Sequence, residues 1–219
     1  MNLLKFLSLV LFALQVYGDS KKIVDLRKKA EQGDAASQYV LSAIYQFGKG
    51  VPKDSKEAVK WLRMAAAQGH PVAQYNLGSA YLAAEGVPQD HKETVKWYRK
   101  SAEQGFPPAQ NRLGLMYAHG RGVLKDEKKA VKLYLKAAEQ GFPEALVNLG
   151  HAYGHGAGVP KDNVAAYAWN ELAVQKGIEL GAKNRAIFAK KMTPEQIAEG
   201  QKLSKELLKK IEANKAKKK

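Results

Sequence analysis

The sequence predicts an all-α fold, a solenoid of stacked antiparallel helix pairs. The first observation is a fixed spacing of 36 residues between five Xaa-Gly pairs: Gln32-Gly33, Gln68-Gly69, Gln104-Gly105, Gln140-Gly141 and Lys176-Gly177. The second is that each period contains two stretches with helical spacing of apolar residues, separated by a glycine-containing turn. A repeat of this length is typical of a solenoid, because one helix pair cannot bury its apolar face until a neighbour covers it.

The first helix of each pair carries a small residue, a leucine and a tyrosine at offsets of four, which places all three on one face. These sets are Ser37-Leu41-Tyr45, Ala73-Leu77-Tyr81, Ala109-Leu113-Tyr117 and Ala145-Leu149-Tyr153. In three of the four pairs a glycine follows the leucine, at Gly78, Gly114 and Gly150. A glycine inside a helix costs about 1 kcal/mol relative to alanine. These glycines therefore predict that another helix packs there too closely for a side chain.

A turn leads from each first helix to the second helix and ends in an aspartate. The turns read GKGVPKD, AEGVPQD, GRGVLKD and GAGVPKD. The aspartates are expected to cap the second helix, and Glu57 and Glu93 are expected to complete capping boxes. Small and large residues alternate along the second helices, so we expect three tryptophans to lie in the core. They are Trp61, Trp97 and Trp169.

The repeat divides the chain into segments. These are a signal peptide (1–18), an N-terminal capping helix (19–33), four repeats (34–69, 70–105, 106–141 and 142–177), C-terminal capping helices (178–212) and a basic disordered tail (213–219). The last capping helix should begin at Thr193, because Thr193, Pro194 and Gln196 combine an N-cap, an N1 proline and a capping-box partner.

The N-terminal residues 1–18 have the features of a secretory signal peptide. Lys5 precedes an apolar run from Phe6 to Leu14, which is shorter than the roughly 20 residues that a transmembrane helix needs. We expect cleavage near Gly18, a secreted or periplasmic protein and no transmembrane span afterwards. The alternative is that the segment stays as an uncleaved anchor. The chain contains no cysteine, so disulfides, thiolate nucleophiles and cysteine metal sites are excluded.

These motifs resemble the Sel-one-like repeat (SLR), a relative of the tetratricopeptide repeat. The resemblance rests on A-x-x-x-L-G-x-x-Y, then G-x-G-V-P-x-D, then A-x-x-W-x-x-x-A-A-x-Q-G, and it covers residues 19–181. It implies a right-handed α-α superhelix, similar to tetratricopeptide stacks, whose first helices line a concave groove that takes peptides. The sequence departs from the pattern at Ser42, Ala84 and Leu124, where local turn or packing geometry is open.

No catalytic constellation accompanies the repeat. The sequence has no G-x-S-x-G, no serine followed by lysine three residues later, and no phosphate-binding loop. We therefore predict no enzymatic activity and no cofactor. His151 and His155 are four residues apart, a spacing that can hold a metal. No carboxylate lies within a turn of either histidine on that helix, so no metal site is predicted.

The surface left on the first helices is the candidate binding site for a peptide or protein segment. Eight residues are predicted to form it: Tyr39, Tyr75, Asn76, Ser79, Asn111, Arg112, Asn148 and His151. Amides can pair with a peptide backbone, rings can cover its side chains, and Arg112 can hold a carboxylate. The function predicted is a non-enzymatic scaffold or adaptor for protein–protein interaction. The alternative for this surface is an ordinary polar exterior.

The charge distribution supports a second function. The chain has a formal net charge of +15, and the residues from 183 to 219 contain twelve Lys or Arg against four Glu. A lysine-rich tail binds polyanions through flexible charge, with a strong dependence on salt. The alternative function is therefore binding to a polyanion or an envelope surface through the C-terminal tail, with no specific nucleic-acid recognition.

Overall fold

The computed structural model describes residues 20–216, and these residues form eleven α-helices and no strand. The helices are α1 (Ser20–Glu31), α2 (Ala35–Phe47), α3 (Ser55–Ala67), α4 (Pro71–Ala83), α5 (His91–Glu103), α6 (Pro107–His119), α7 (Glu127–Ala138), α8 (Pro143–His155), α9 (Asn163–Gln175), α10 (Glu179–Ala189) and α11 (Pro194–Ala216). The all-α prediction is confirmed. The predicted signal peptide, residues 1–18, lies outside the described residues.

The chain forms two compact units that meet in sequence between Gln104 and Gly105. Unit 1 contains α1 to α5, and each of these helices packs on the next one along the chain. Unit 2 contains α6 to α11. Its helices from α6 to α10 also pack consecutively, and α11 packs on α9. In unit 1 each first helix packs most extensively on the second helix that follows it, as the repeat predicts, and in unit 2 α9 packs equally on α8 and α10.

The aspartates at the ends of the turns cap the second helices as predicted. Asp54 accepts from the backbone N–H groups of Lys56 and Glu57 at 2.9 and 3.0 Å, and Asp90, Asp126 and Asp162 make equivalent bonds. The reciprocal half of the capping box is absent at Asp54. Its N–H donates to the Tyr45 carbonyl at 3.0 Å, so the turn is fastened to the end of the first helix instead.

The helix glycines mark close helix–helix contacts, as predicted. A Cβ at Gly78 would lie 2.7 Å from the Tyr98 ring, and a Cβ at Gly114 would lie 2.5 Å from the Tyr134 ring. The facing residue comes twenty positions after the glycine in each case. In the first repeat the same two positions are Ser42 and Leu62. A residue larger than glycine is therefore matched there by a partner smaller than tyrosine.

The glutamine of each Gln-Gly pair joins its own helix pair together. Gln104 Nε2 donates to Gln74 Oε1 at 2.8 Å and to the Gly69 carbonyl at 2.9 Å. Gln140 makes the same two bonds to Gln110 and Gly105. In the fourth repeat Leu146 and Lys176 replace both glutamines. The pair is therefore kept or lost as a unit, because a single replacement would leave one buried amide without its partner.

The tryptophans do not all lie in the core. Trp61 and Trp169 are buried, but Trp97 is half-exposed. Its indole N–H donates to Glu93 at 2.9 Å, and Lys100 Nζ lies 4.7 Å from its ring centroid. The prediction is therefore correct for two of the three. Trp97 instead contacts the charged side chains of Glu93 and Lys100 on α5.

The turn at Ala84, where the sequence departs from the repeat pattern, keeps the geometry of the other repeats. Ala84 has φ 57°, close to the 65° of Gly48 and of Gly120 at the equivalent position. A left-handed conformation at a residue with a Cβ costs roughly 1–2 kcal/mol. The neighbouring repeat architecture therefore imposes this turn on a residue that does not favour it.

The C-terminal helix is longer than predicted. The sequence suggested a disordered tail from residue 213, but α11 continues through Ala216. Ile211 is buried, and Lys210 Nζ lies 3.6 Å from a Glu139 carboxylate oxygen. These contacts hold the last turns, and alanine and lysine extend the helix at low cost. The lysines at 217–219 lie outside the described residues.

Candidate functional site

The candidate surface is the outward side of the first helices, which we call the first-helix face of each unit. In unit 1 it is built on α2 and α4, and in unit 2 on α6, α8 and α10. The eight predicted residues differ in exposure. Tyr39 and Asn111 are buried, Arg112 and His151 are exposed, and Tyr75, Asn76, Ser79 and Asn148 are half-buried.

In unit 1, Tyr39 connects two neighbouring first helices. Asn76 Nδ2 on α4 donates to the Tyr39 hydroxyl at 3.2 Å. The Tyr39 ring stacks on the His70 ring with centroids 5.1 Å apart. Burial raises the pKa of the Tyr39 hydroxyl to about 12, and the bond from Asn76 opposes that rise. Tyr39 therefore stays neutral and acts as a structural bridge at physiological pH.

A second group in unit 1 forms around Tyr98, which comes from α5. The rings of Tyr75 and Tyr98 stack with centroids 5.5 Å apart. The Ser79 hydroxyl lies 3.0 Å from the Tyr98 hydroxyl and also donates to the Tyr75 carbonyl at 3.1 Å. Two of the predicted residues thus share a partner from the second helix of the same repeat, which was not among the predicted residues.

In unit 2, the two predicted asparagines bond to each other. Asn148 Nδ2 on α8 donates to Asn111 Oδ1 on α6 at 2.7 Å. This bond has the same 37-residue separation as the one between Asn76 and Tyr39. In the structure these amides therefore bond between neighbouring repeats, whereas the sequence had predicted that they would pair with a ligand backbone.

Three histidines gather on the first-helix face of unit 2. The rings of His151 and His155 lie 4.4 Å apart between centroids, and His155 contacts Phe188 edge-on at 6.2 Å. Partial burial lowers the pKa of His151, and the charges of His155 and His119 lower it further. Within residues 20–216 no group of three or more potential ligands is arranged to hold a metal.

Sequence reasoning missed several members of these groups. His70 and Tyr98 were not predicted, and Phe188 lies beyond the fourth repeat. A usable signal did exist for Tyr98, because a bulky residue twenty positions after a helix glycine recurs at Tyr134. No comparable signal exists for His70 or Phe188, since neither residue type recurs at its position in the other repeats.

His70 gives the first testable prediction, a pH dependence of stability. Its Nδ1 accepts from the Ala73 N–H at 3.2 Å as the N-cap of α4, and burial lowers its pKa below 6.5. Protonation removes this acceptor. The folded pKa is below the unfolded one, so the contribution is complete above about pH 6.5 and is lost as the pH falls below it.

The measurement is the free energy of unfolding between pH 5 and 8 for the native chain and for His70→Asn, whose cap does not titrate. We expect the native chain to lose about 1 kcal/mol more than the variant on acidification, the value of one N-cap. Contributions from the rest of the chain are common to both proteins and cancel. Parallel pH profiles would contradict the assignment of His70 as a neutral cap.

This repeat geometry has counterparts in known proteins. The model of the Sel1 repeat matches residues 35–70, 71–106, 107–142 and 143–178. The chain belongs to the Sel1 repeat family. Sel1 repeats generally form scaffolds for protein interaction. A search among curated proteins returns no significant match for this Sel1 repeat chain.

Solved structures with the same fold include three from bacteria. A protective antigen of uropathogenic Escherichia coli with an SLR fold is 38% identical (TM-score 0.81), over 89% of this chain and 42% of that protein. A Sel1 repeat protein from Oxalobacter formigenes is 33% identical (TM-score 0.70), over 82% and 74%. An immunity protein from Pseudomonas aeruginosa is 21% identical (TM-score 0.52), over 94% and 81%, and shares the fold alone.

The Sel1 repeat chain thus spans less than half of the E. coli antigen. In the part that the structure describes, no helix is both long and apolar enough to cross a membrane.

Proposed function

We propose that this chain is a non-enzymatic scaffold that binds a segment of a protein partner on its first-helix faces. The observation that supports this is a difference between the residues that hold the repeats together and those on the first-helix faces. Residues that hold the repeats together recur, such as the capping aspartates and the bridging glutamines. Positions on the face differ between repeats, as at Ala43, Ser79, Leu115 and His151, which share one position of the repeat. A constant frame with a variable surface suits recognition of a partner.

Exposure on the face favours contact with a partner over a structural role for two residues. Arg112 and His151 are exposed, and Arg112 takes part in no ion pair within residues 20–216. A guanidinium in this position can bind a carboxylate through two parallel hydrogen bonds. Their neighbours Asn111 and Asn148 fix the helices that carry them.

The test is site-specific photocrosslinking in the native compartment. A photoreactive phenylalanine analogue is placed at Arg112, at His151 or at Lys132, which is exposed on the second helix α7. We expect discrete crosslinked partners from the two face positions and none from Lys132. Crosslinks that arise equally from Lys132 would overturn the assignment of the face as the binding surface.

We also propose that the chain acts outside the cytoplasm, secreted or in the periplasm. This rests on the apolar run from Phe6 to Leu14 after Lys5, and fractionation with N-terminal sequencing of the processed chain tests it. Cleavage near Gly18 is expected. Full-length chain in the cytosolic fraction would contradict it.

The basic C-terminus supports the second candidate function, binding to a polyanionic surface. Lys202, Lys205 and Lys209 are exposed on α11. Substitution of Lys217, Lys218 and Lys219 by glutamine leaves α11 in place and removes three charges. If polyanion binding through the tail is the function, the variant should elute from a sulfated-polysaccharide matrix at a lower salt concentration, while crosslinking from Arg112 should not change.

A further inference from the structure

The first helices of the two units differ in charge. In unit 1, α2 and α4 contain no Asp, Glu, Lys or Arg. In unit 2, the first helices carry Arg112 and the three histidines His119, His151 and His155, and Lys191 follows α10. The repeat frame does not require this difference, because both units have the same helix pairs and the same aspartate caps on their second helices. The cationic groups therefore distinguish one first-helix face from the other.

These five groups lie on one surface, which we call the basic face of unit 2. Arg112 and His119 are seven residues apart on α6, two turns along one side of that helix. The bond between Asn111 and Asn148 joins α6 to α8 at the level of Arg112. His151 follows Asn148 by three residues and contacts His155.

Phe188 extends the basic face towards the end of α10. Its ring contacts His155 edge-on, and Lys191 Nζ lies 5.8 Å from its centroid. A Cβ at Gly154 would lie 2.1 Å from Phe188, so the ring is fitted closely against α8. His155 and Lys191 therefore both contact a ring that is held in place by packing.

Few carboxylates compensate the basic face. The first helices of unit 2 contain two, Glu144 and Glu179, and Glu179 is paired with Lys183 at 2.8 Å. Glu171 on α9 is paired with Arg185. Lys132 and Lys136 on α7 are exposed. Within residues 20–216 none of the five groups of the basic face takes part in an ion pair.

We propose that the basic face of unit 2 binds an acidic segment of a polypeptide, with its carboxylates on Arg112, Lys191 and the histidines between them. This inference rests on the proposed function and specifies the chemistry of the partner. The 2.7 Å bond between Asn111 and Asn148 shows that α6 and α8 approach each other directly, helices in contact lie about 8–10 Å apart, and an extended chain rises about 3.3 Å per residue. Carboxylates on every third residue would therefore meet successive first helices.

The histidines make this binding dependent on pH. At pH 7.5 Arg112 and Lys191 supply the positive charge, and acidification adds positive charge at His151. Burial and the neighbouring histidines lower the pKa of His151, whereas a bound carboxylate favours its charged form. Glutamate remains ionised at pH 5.5, since its ordinary pKa is about 4.3. Affinity should therefore rise between pH 7.5 and 5.5.

The experiment measures fluorescence anisotropy with the full chain and a labelled 12-residue peptide carrying glutamate at every third position. A peptide with glutamine at those positions is the reference. We expect the glutamate peptide to bind about tenfold more tightly at pH 5.5 than at 7.5. Arg112→Gln should weaken it about tenfold, and the triple variant His119→Gln, His151→Gln and His155→Gln should abolish the pH effect. Lys132→Gln loses the same charge as Arg112→Gln but lies off the face, and should have little effect.

Each outcome decides the inference. Equal affinity for the two peptides would overturn it. Equal weakening by Lys132→Gln and Arg112→Gln would also overturn it, because binding would then depend on net charge alone. Heparin binding with the same dependence on Arg112 and tighter than the peptide would assign the face to a polysaccharide instead. Photocrosslinking of a partner whose contact segment is not acidic would leave the proposed function standing and reject the acidic ligand. Absence of any crosslinked partner would reject the proposed function itself.

Discussion

Gly86→Ala should destabilise unit 1 by about 3 kcal/mol or more. Gly86 has φ 70°, and a Cβ there would lie 2.1 Å from the carbonyl oxygen of Ser55 at the start of α3. The left-handed conformation costs an alanine roughly 1–2 kcal/mol. Relief of the clash requires the backbone of the turn or of α3 to move, which adds about 1–3 kcal/mol. Chemical denaturation followed by circular dichroism measures the sum.

Gly69→Ala is the matched control. Gly69 has φ 88°, but no atom lies within 4 Å of a Cβ built there. Its substitution should cost only the conformational term, about 1 kcal/mol. Equal losses in the two variants would show that the contact between the turn and α3 contributes nothing. In unit 2 the same contact recurs between Gly158 and Glu127, with a Cβ distance of 2.3 Å to the carbonyl oxygen.

Gly114→Ser should destabilise unit 2, and a second substitution should restore most of the loss. The new Cβ would lie 2.5 Å from the Tyr134 ring, which is buried and comes from α7. Overpacking of this kind costs about 1–3 kcal/mol. Tyr134→Leu alone should also destabilise, by about 2 kcal/mol, because it leaves a cavity beside Gly114.

The double variant reproduces the Ser42 and Leu62 pair of the first repeat, where both residues are buried. The Ser42 hydroxyl donates to the Tyr39 carbonyl at 2.6 Å, and a serine at 114 can reach the equivalent Asn111 carbonyl. We expect the double variant to be more stable than the sum of the single losses predicts, by at least about 1 kcal/mol. Additive losses would mean that the two positions do not pack as a complementary pair.

The repeat frame was predictable because its parts follow local rules that act identically in each copy. The capping aspartates precede second helices that begin one residue later. The helix glycines lie where a side chain from the next helix approaches. Four copies of the capping aspartate and three of the helix glycine, all in register, leave few alternative folds. Because the same weak local preferences recur in each repeat, together they were sufficient to predict the fold.

Predictions about individual surface residues succeeded less often. The sequence placed Asn111 and Asn148 in contact with a ligand, but their side chains bond to each other. It placed Trp97 in the core, but that ring is half-exposed beside Lys100. The helical pattern gives the side of a helix on which a residue lies. It does not give which polar partner lies within hydrogen-bond distance.

The sequence by itself determined the all-α repeat, its period of 36 residues and the identity of its caps and close contacts. These depend on interactions within one repeat and the next, and the same residues recur in each. Only the tertiary structure decided that α11 continues to Ala216, that the amides serve the joints between repeats, and that Phe188 contacts His155. Such features depend on side chains from separate helices, and the spacing of residues along one helix does not say which partner a neighbouring helix supplies.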